Sequence, residues 1–317
     1  MLFTRIHIKH IDFPDTAFSL KPDNYTRGID AKMKVSIQRA GILHPPIIKE
    51  KTPSSFQIIT GKQRLLAAAA LGHATCSCYK VHSDISDIEA LDISLEDTIL
   101  SHQPSPIEQA HYLQKALGHL PVDEVAIHYS AITGTAINPF HIKQKTALLT
   151  LEEPLQIAVH EKSLDEKVAM EMTKMSFGDR FALFDIISAL QLSVSNQKKL
   201  TSSSRELAGR LKIMIRDILG GEEVLNIFAN EESNLPQKAS KLMGLIHKKR
   251  FPRLTDAENT FHTFVSGVHL PKNISLNHSP SFEQDTLQMD ITFKNQDEFM
   301  KVWPKIETHF RVTSEEI

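Results

Sequence analysis

The stretch Gly41 to Gly72, GILHPPIIKEKTPSSFQIITGKQRLLAAAALG, leaves few folding options to the chain that contains it. Pro45 and Pro46 precede the apolar pair Ile47-Ile48, and Phe56, Ile58 and Ile59 form a second β-rich run. Gly61 opens a polar corner, Gly61-Lys62-Gln63-Arg64. Leu65 to Leu71 then supplies strong helix formers, closed by Gly72. The order is turn, strand, loop, strand, Gly-led corner, helix. Such a corner gathers backbone N–H groups and cations at a helix N-terminus, where anions bind. It is the first candidate ligand site.

The rest of the chain extends this α/β unit and then changes character. Met1 to Phe13 alternates in the manner of a first strand, and Ile29 to Arg39 reads as a helix leading into the Gly41 turn. Asp84 to Ser101 carries Ile85, Ile88, Leu91, Ile93, Leu95 and Ile99, in which apolar spacing of three and four dominates, so it reads as a helix expected to pack back on the first unit. Ser105 and Pro106 form a helix start, cap then first-turn proline. From Ser105 to about Leu192 the chain is helical with short breaks, and Glu206 to Leu219 reads as a further amphipathic helix. Val122 to Tyr129 and Pro139 to Leu149 can be the two helices of a helix-turn-helix, with Ser130 to Asn138 as the turn region. Asn138 would cap the second helix. His141, Lys143, Gln144 and Lys145 lie early in it, where a recognition helix presents polar side chains to the major groove. An ordinary helical bundle has the same spacing.

Composition bounds the function classes. The 317 residues are 41% hydrophobic and 23% charged, with net charge −2, so the whole chain is not a nucleic-acid polycation. The charge is uneven: Ser195 to Arg253 holds twelve Lys and Arg against six Asp and Glu. Such a segment can follow a phosphate backbone or simply form a solvated helical face. No apolar run approaches the roughly 18 residues of a membrane span, and the expected location is cytoplasmic. Cys76 and Cys78 have neither redox nor zinc spacing and read as same-face strand residues. No metal site is expected among the side chains.

The final segment reads as a third unit. Thr255 to Val268 is expected to be a helix with Thr255 as its N-cap and Glu258 at its third position. Asn273 to Asn277 and Thr286 to Phe293 follow as strands, the second alternating as Leu287, Met289, Ile291 and Phe293. Gln296 to Phe310 is a helix carrying Phe299, Trp303 and Ile306, with Pro304 as a potential kink. Two strands make a thin core, and pairing across a two-fold axis would complete it.

These motifs, in this order, resemble the ParB family of DNA partition proteins, whose first domain has the ParB/sulfiredoxin fold. The family's G-(I/L)-(I/L)-x-P box is matched by Gly41-Ile42-Leu43-His44-Pro45. Its G-E-R-R-x-x-A box is matched in Gly61, Arg64 and Ala67, with Lys62-Gln63 replacing Glu-Arg. The helix entry Ser105-Pro106-Ile107-Glu108 and the Phe293 to Phe299 corner match its later units. The resemblance implies a multidomain α/β plus all-α chain. It has a nucleotide-binding domain over 1–83, a linker helix over 84–103 and a helix-turn-helix DNA-binding domain over 104–194. A basic helical segment over 195–253 and a small α+β dimerisation domain over 254–317 complete it.

The resemblance also implies function: a nucleoid-associated homodimer that binds double-stranded DNA in chromosome or plasmid partition, gated by CTP with Mg and served by a ParA-type ATPase. The nucleotide site would comprise Gly41, His44, Pro45, Gly61, Lys62, Gln63, Arg64 and, as an echo of the family's Glu-Asn, Glu96 and Asp97. The DNA site would comprise Asn138, His141, Lys143, Gln144 and Lys145. The family's second Arg is missing, with Leu100 or Ser101 in its place, so any CTPase activity is expected to be weak. The competing classes are a nuclease-like or small-molecule kinase enzyme on the same fold and a transcriptional regulator. A sulfiredoxin would need a Cys in the Gly61 corner, which has none.

Overall fold

The computed structural model describes residues 1–22, 29, 31–279, 282, 284 and 286–312. The fold is mixed α/β and mainly helical. It comprises two compact units, Met1–Ser240 and Lys241–Ile317.

The first unit opens with β1 (Leu2–His7), α1 (Ala31–Ala40), β2 (Ile47–Thr52), β3 (Ser55–Thr60), α2 (Lys62–Ala70) and β4 (Thr75–Lys80). Of the helix expected from Ile29, Asp30 lies outside the described residues. The sheet order is β1-β4-β2-β3. β4 runs antiparallel to β1 and parallel to β2, while β2 and β3 form an antiparallel hairpin. Alternation along each strand sends one set of side chains inward. Ile48, Phe56, Ile58, Cys76 and Cys78 meet Ile8, Ile11, Leu65 and Ala68 in a core under α2. The two cysteines are same-face strand residues, as their spacing indicates.

The helices follow: α3 (Asp87–Ser101), α4 (Pro106–Ala116), α5 (Val122–Thr133), α6 (Pro139–Ala147), α7 (Glu153–His160), α8 (Glu166–Met172) and α9 (Phe177–Ala189), then α10 (Val194–Leu211), α11 (Ile215–Leu219), α12 (Glu222–Ala229) and α13 (Leu235–Arg250). Local chemistry sets several starts. Ser86 and Ser105 each form a reciprocal capping box, with Glu89 and Glu108. A second core joins sheet and helices: Ile59 and Val81 pack with Ala90, Leu91 and Leu95 of α3 and with Tyr112, Leu113, Val125, Tyr129 and Ile142 of α4 to α6. Polar ties reinforce it, with Ser94 Oγ donating to the Phe18 carbonyl at 2.9 Å and Lys115 Nζ to the Ser19 carbonyl at 2.7 Å. The helix α3 therefore does pack on the sheet unit.

Helix boundaries differ from expectation at Lys212 and before Thr255. The continuous helix foreseen over Glu206 to Leu219 is broken at Lys212, which takes the left-handed conformation with φ 56°. Here the Ile213 N–H returns to the Ala208 carbonyl at 3.2 Å. The helix expected from Thr255 begins earlier, at Pro252.

In the second unit, α14 (Pro252–Val268), β5 (Ile274–His278), β6 (Leu287–Ile291) and α15 (Gln296–Val312) follow in the expected order. Pro252 is an N-terminal proline of α14, and Thr255 Oγ1 bonds back to the Phe251 carbonyl at 3.0 Å instead of capping. β5 and β6 pair antiparallel, Ile274 with Ile291 and His278 with Leu287. Phe299 sits 5.2 Å from Phe293 and 5.5 Å from Trp303, centroid to centroid. Leu287, Met289 and Met300 remain exposed, and α14 buries no residue. α15 runs through Pro304; the Ile306 side chain lies outside what is described.

Candidate functional site: an anion corner and a helix-turn-helix

Gly61 precedes α2 with φ 87° and ψ 20°, a left-handed conformation that favours glycine. A Cβ there would stand 2.9 Å from the Pro46 Cβ and 3.1 Å from an Arg64 nitrogen. Glycine is thus required both by backbone conformation and by close approach. The approach brings together two segments far apart in sequence: the Gly41 to Pro45 box and the Gly61 to Arg64 corner. Arg64 closes the junction by donating from Nη1 to the His44 carbonyl. Gly41 also has positive φ, 71°, ending α1 by donating its N–H to the Ile37 carbonyl at 2.9 Å.

The corner is electropositive by construction. The first turn of α2 contains no acidic residue and no side chain caps it. Lys62 and Gln63 are half-exposed, and their side-chain polar atoms have no hydrogen-bond partner among the described residues. The Arg64 charge also reaches into the sheet. The Cys78 hydrogen bond holds the Cys76 thiol below its ordinary pKa, and Arg64 acts in the same direction. Backbone donors, a free Lys and an anchored Arg fit a phosphate chain.

Glu96 and Asp97 are not drawn into this junction. Glu96 is exposed on α3 and Asp97 half-buried, and neither forms a hydrogen bond or ion pair with the corner among the described residues. Leu100 is 87% exposed at the position where the resemblance places an Arg. Among the described residues, no three His, Cys, Asp or Glu side chains converge as a metal site.

The second region is α5, a turn, and α6. The α5 helix runs four residues beyond its expected end, to Thr133; in this last turn Ser130 Oγ and Thr133 Oγ1 donate to the Ala126 and Tyr129 carbonyls at 2.7 and 2.8 Å. Gly134, φ 67°, then caps it, so the turn is Gly134 to Asn138. Asn138 Oδ1 accepts from the His141 N–H at 2.9 Å, and Pro139 occupies the first turn. Ile142, 1% exposed, anchors α6 in the shared core.

The predicted DNA residues separate into three roles. Asn138 is engaged as the cap. Lys145 is engaged with Glu166 of α8 at 3.0 Å. His141 and Lys143 are exposed and Gln144 half-exposed on the outward side, and the Lys143 ammonium and Gln144 amide are unpartnered among the described residues. Sequence reasoning passed over Phe140, an aromatic side chain 65% exposed at the second position of α6. Its signal was a large apolar residue set among polar ones. Farther along, three of the twelve cations of the basic segment face carboxylates: Lys198 faces Asp165 at 3.2 Å, Arg205 faces Glu171, and Arg216 faces Asp217 at 3.7 Å.

A polar cluster marks the entry to α4. Glu108 is buried, bonds the Ser105 N–H at 2.8 Å and meets His102 Nε2 at 3.1 Å. Ser105 Oγ lies 2.8 Å from His160 Nδ1, and burial pushes the His160 pKa down. These groups satisfy each other and fix α3, α4 and α7. No helix among the described residues is long and apolar enough to cross a membrane.

No protein-family model matches the chain. It is 27% identical over 183 residues to the probable chromosome 1-partitioning protein ParB of Deinococcus radiodurans, covering 57% of this chain and 59% of that protein. It is 28% identical over 131 residues to the probable chromosome-partitioning protein ParB of Neisseria meningitidis, covering 41% and 43%. A nucleoid occlusion protein of Bacillus thuringiensis is 24% identical over 138 residues, covering 44% and 46%. The chain therefore spans about half the length of the curated relatives it matches. Among solved structures, it is similar to the C-terminally truncated chromosome-partitioning protein ParB from Caulobacter crescentus complexed to the centromeric parS site. There the identity is 19%, with 63% of this chain and 98% of that one covered, at TM-score 0.33. A Pnob8-like ParB-N domain is 16% identical, covering 77% and 98%, at TM-score 0.35.

Proposed function

This chain is a relative of the ParB-family partition proteins, and from that kinship we propose that it is a DNA-binding partition adaptor with a nucleotide-responsive first domain. The observation that carries the reading is the capped, core-anchored α6, which turns His141, Lys143 and Gln144 outward from the second helix of a helix-turn-helix. Lys143 would meet phosphate, Gln144 a base edge, and His141 either of them. Asn138 would contribute by holding the helix start, and Lys145 from the flank.

In the same unit, the Gly61 corner would hold a triphosphate, CTP by family kinship. The α2 amides and Lys62 would hold phosphate oxygens. Arg64 and Gln63 would line the site, and Gly41, His44 and Pro45 would form its opposite wall. Glu96 and Asp97 are the carboxylates from which a magnesium ion could be approached on α3. The bound nucleotide supplies negative charge that the corner lacks. With Leu100 in place of an Arg, the nucleotide serves better as a switch ligand than as a rapidly hydrolysed substrate. The proposed division of labour follows 1–83 for nucleotide, 84–103 for connection, 104–194 for DNA, 195–253 for a basic helical segment and 254–317 for dimerisation. The exposed Leu287 and Met289 on β6 support an isologous pairing of two copies. A ParA-type ATPase is the partner expected of such an adaptor.

Binding of labelled CTP to the full chain, with and without duplex DNA, tests this. DNA binding at low salt is expected, and nucleotide and DNA should alter each other's affinity by the same factor, since linkage is reciprocal. Absence of duplex binding at low salt would remove the central claim.

A further inference from the structure

Phe140 has no structural employment in the fold. It is 65% exposed, and its ring contact is with the exposed neighbour His141, edge to face at 6.0 Å. The rotation of α6 about its axis is nevertheless fixed. Ile142 is buried, Thr146 lies one turn beyond it, and Lys145 is drawn to Glu166 of α8. Those three define the inward side. With 3.6 residues per turn, the middle of the opposite side falls on Phe140 and Gln144, four residues apart and therefore neighbours on the helix surface. His141 and Lys143 flank that pair. The outermost ridge of the helix is thus one phenyl ring followed by one carboxamide.

That pairing has a specific complement. In the major groove, the thymine C5-methyl is the apolar feature on the base edges, and a side-chain amide matches the N6 and N7 groups of adenine. Resting on the DNA-binding reading above, we propose that Phe140 is a specificity-determining residue that packs on a thymine methyl beside the base read by Gln144. The two side chains are separated by about 6 Å along the helix axis. Base pairs are stacked about 3.4 Å apart. The thymine therefore lies one or two base-pair steps from the adenine. The bound site contains an A·T-rich core in each half, and Phe140 supplies discrimination between thymine and cytosine that a charged residue here could not. The ring is already exposed in the free protein, so its apolar surface leaves water only when the methyl is present.

Sites are first enriched from random duplexes with the full chain. Each thymine of the enriched site is then replaced by deoxyuridine, which removes only the C5-methyl. The parent protein is expected to lose roughly fourfold in affinity at one thymine per half-site, the worth of one methyl-sized contact. Phe140→Ala should bind the thymine and deoxyuridine sites equally, while Phe140→Leu keeps part of the preference. Circular dichroism of both variants should match the parent, because Phe140 is not part of the core. Equal affinity of the parent for every deoxyuridine duplex would overturn the inference alone. So would a thymine preference that survives in Phe140→Ala. Failure of any duplex to enrich at low salt would overturn the inference together with the DNA-binding reading.

Discussion

At the Gly61 corner, the protein binds itself: Arg64 turns back onto the His44 carbonyl, and Gly61 lies against Pro46. At the start of α6 the arrangement is reversed, because the cap and the buried Ile142 fix the backbone while Phe140, His141, Lys143 and Gln144 are left facing outward. The two regions thus divide recognition differently. The corner presents a backbone shape with charges around it, suited to a ligand that is the same in every cell. The helix presents side chains alone, suited to a ligand that varies by sequence. Substitutions should therefore act on geometry in the first region and on selectivity in the second.

The largest effect is expected from removing the corner's charges. Lys62→Ala with Arg64→Ala should weaken triphosphate binding by about 3 kcal/mol or more, since a hydrogen bond to a charged group contributes about 1.5–3 kcal/mol. Low-salt DNA affinity should be unchanged by the pair. Taken singly, Arg64→Ala should also lower stability, because the His44 carbonyl loses its donor, whereas Lys62→Ala should not. Calorimetry with CTP and urea unfolding separate these outcomes. An unaltered nucleotide affinity in the double variant would dismiss the corner as the site.

Next in size is a comparison of two glycines. Both Gly61 and Gly134 have positive φ, 87° and 67°, but a Cβ at Gly134 would have no atom within 4 Å, whereas at Gly61 it meets Pro46. Gly134→Ala should cost only the left-handed strain, about 1–2 kcal/mol. Gly61→Ala adds the clash, so it should cost more, and it should also reduce nucleotide binding by prising the two segments apart. Denaturant midpoints at equal m-value test the order. Equal costs at the two positions would mean that the Pro46 contact yields freely and the corner is less rigid than its geometry indicates.

What the sequence disclosed was local. Gly61 before a run of helix formers, Ser105 before Pro106, and Asn138 before Pro139 each state their backbone role within three residues. The helix-strand-strand-helix order of the last unit was legible from period alone. What stayed hidden was set by residues far apart. Arg64 and His44 are twenty positions apart, and Lys145 and Glu166 twenty-one, so neither bond has a signature in the sequence. The packing of α3 on the sheet unit was foreseen, but the extension of that core to Tyr112 of α4 was not, since each segment reads as amphipathic without naming its partner residues. Two errors had local causes. Thr255 and Glu258 imitate a capping box, but Pro252 starts the helix a turn earlier. Ser130 and Thr133 are turn formers by composition, yet here their hydroxyls bond back to the preceding turn of α5, and the backbone stays helical up to Gly134.

The smallest effects, and the most discriminating, concern two lysines that the sequence placed side by side as equals. Lys143 is exposed with a free ammonium, while Lys145 is half-buried against Glu166 at 3.0 Å. A phosphate contact releases counterions, so losing it lowers the salt slope of binding by about one unit, uniformly across DNA sequences. Lys143→Ala should show that change with no loss of stability. Lys145→Ala should leave most of the slope intact, because its charge is already balanced by a carboxylate. It should instead destabilise the fold by no more than about 1 kcal/mol, the range for partly exposed ion pairs. A double-mutant cycle with Glu166→Gln should recover that coupling, and it should vanish at high salt. If Lys145→Ala reduced the slope as much as Lys143→Ala, the Glu166 pair would be one that DNA displaces. The flank of α6 would then belong to the DNA-facing surface along with its outward side, and the division between scaffold and reading face would have to be redrawn around Lys145.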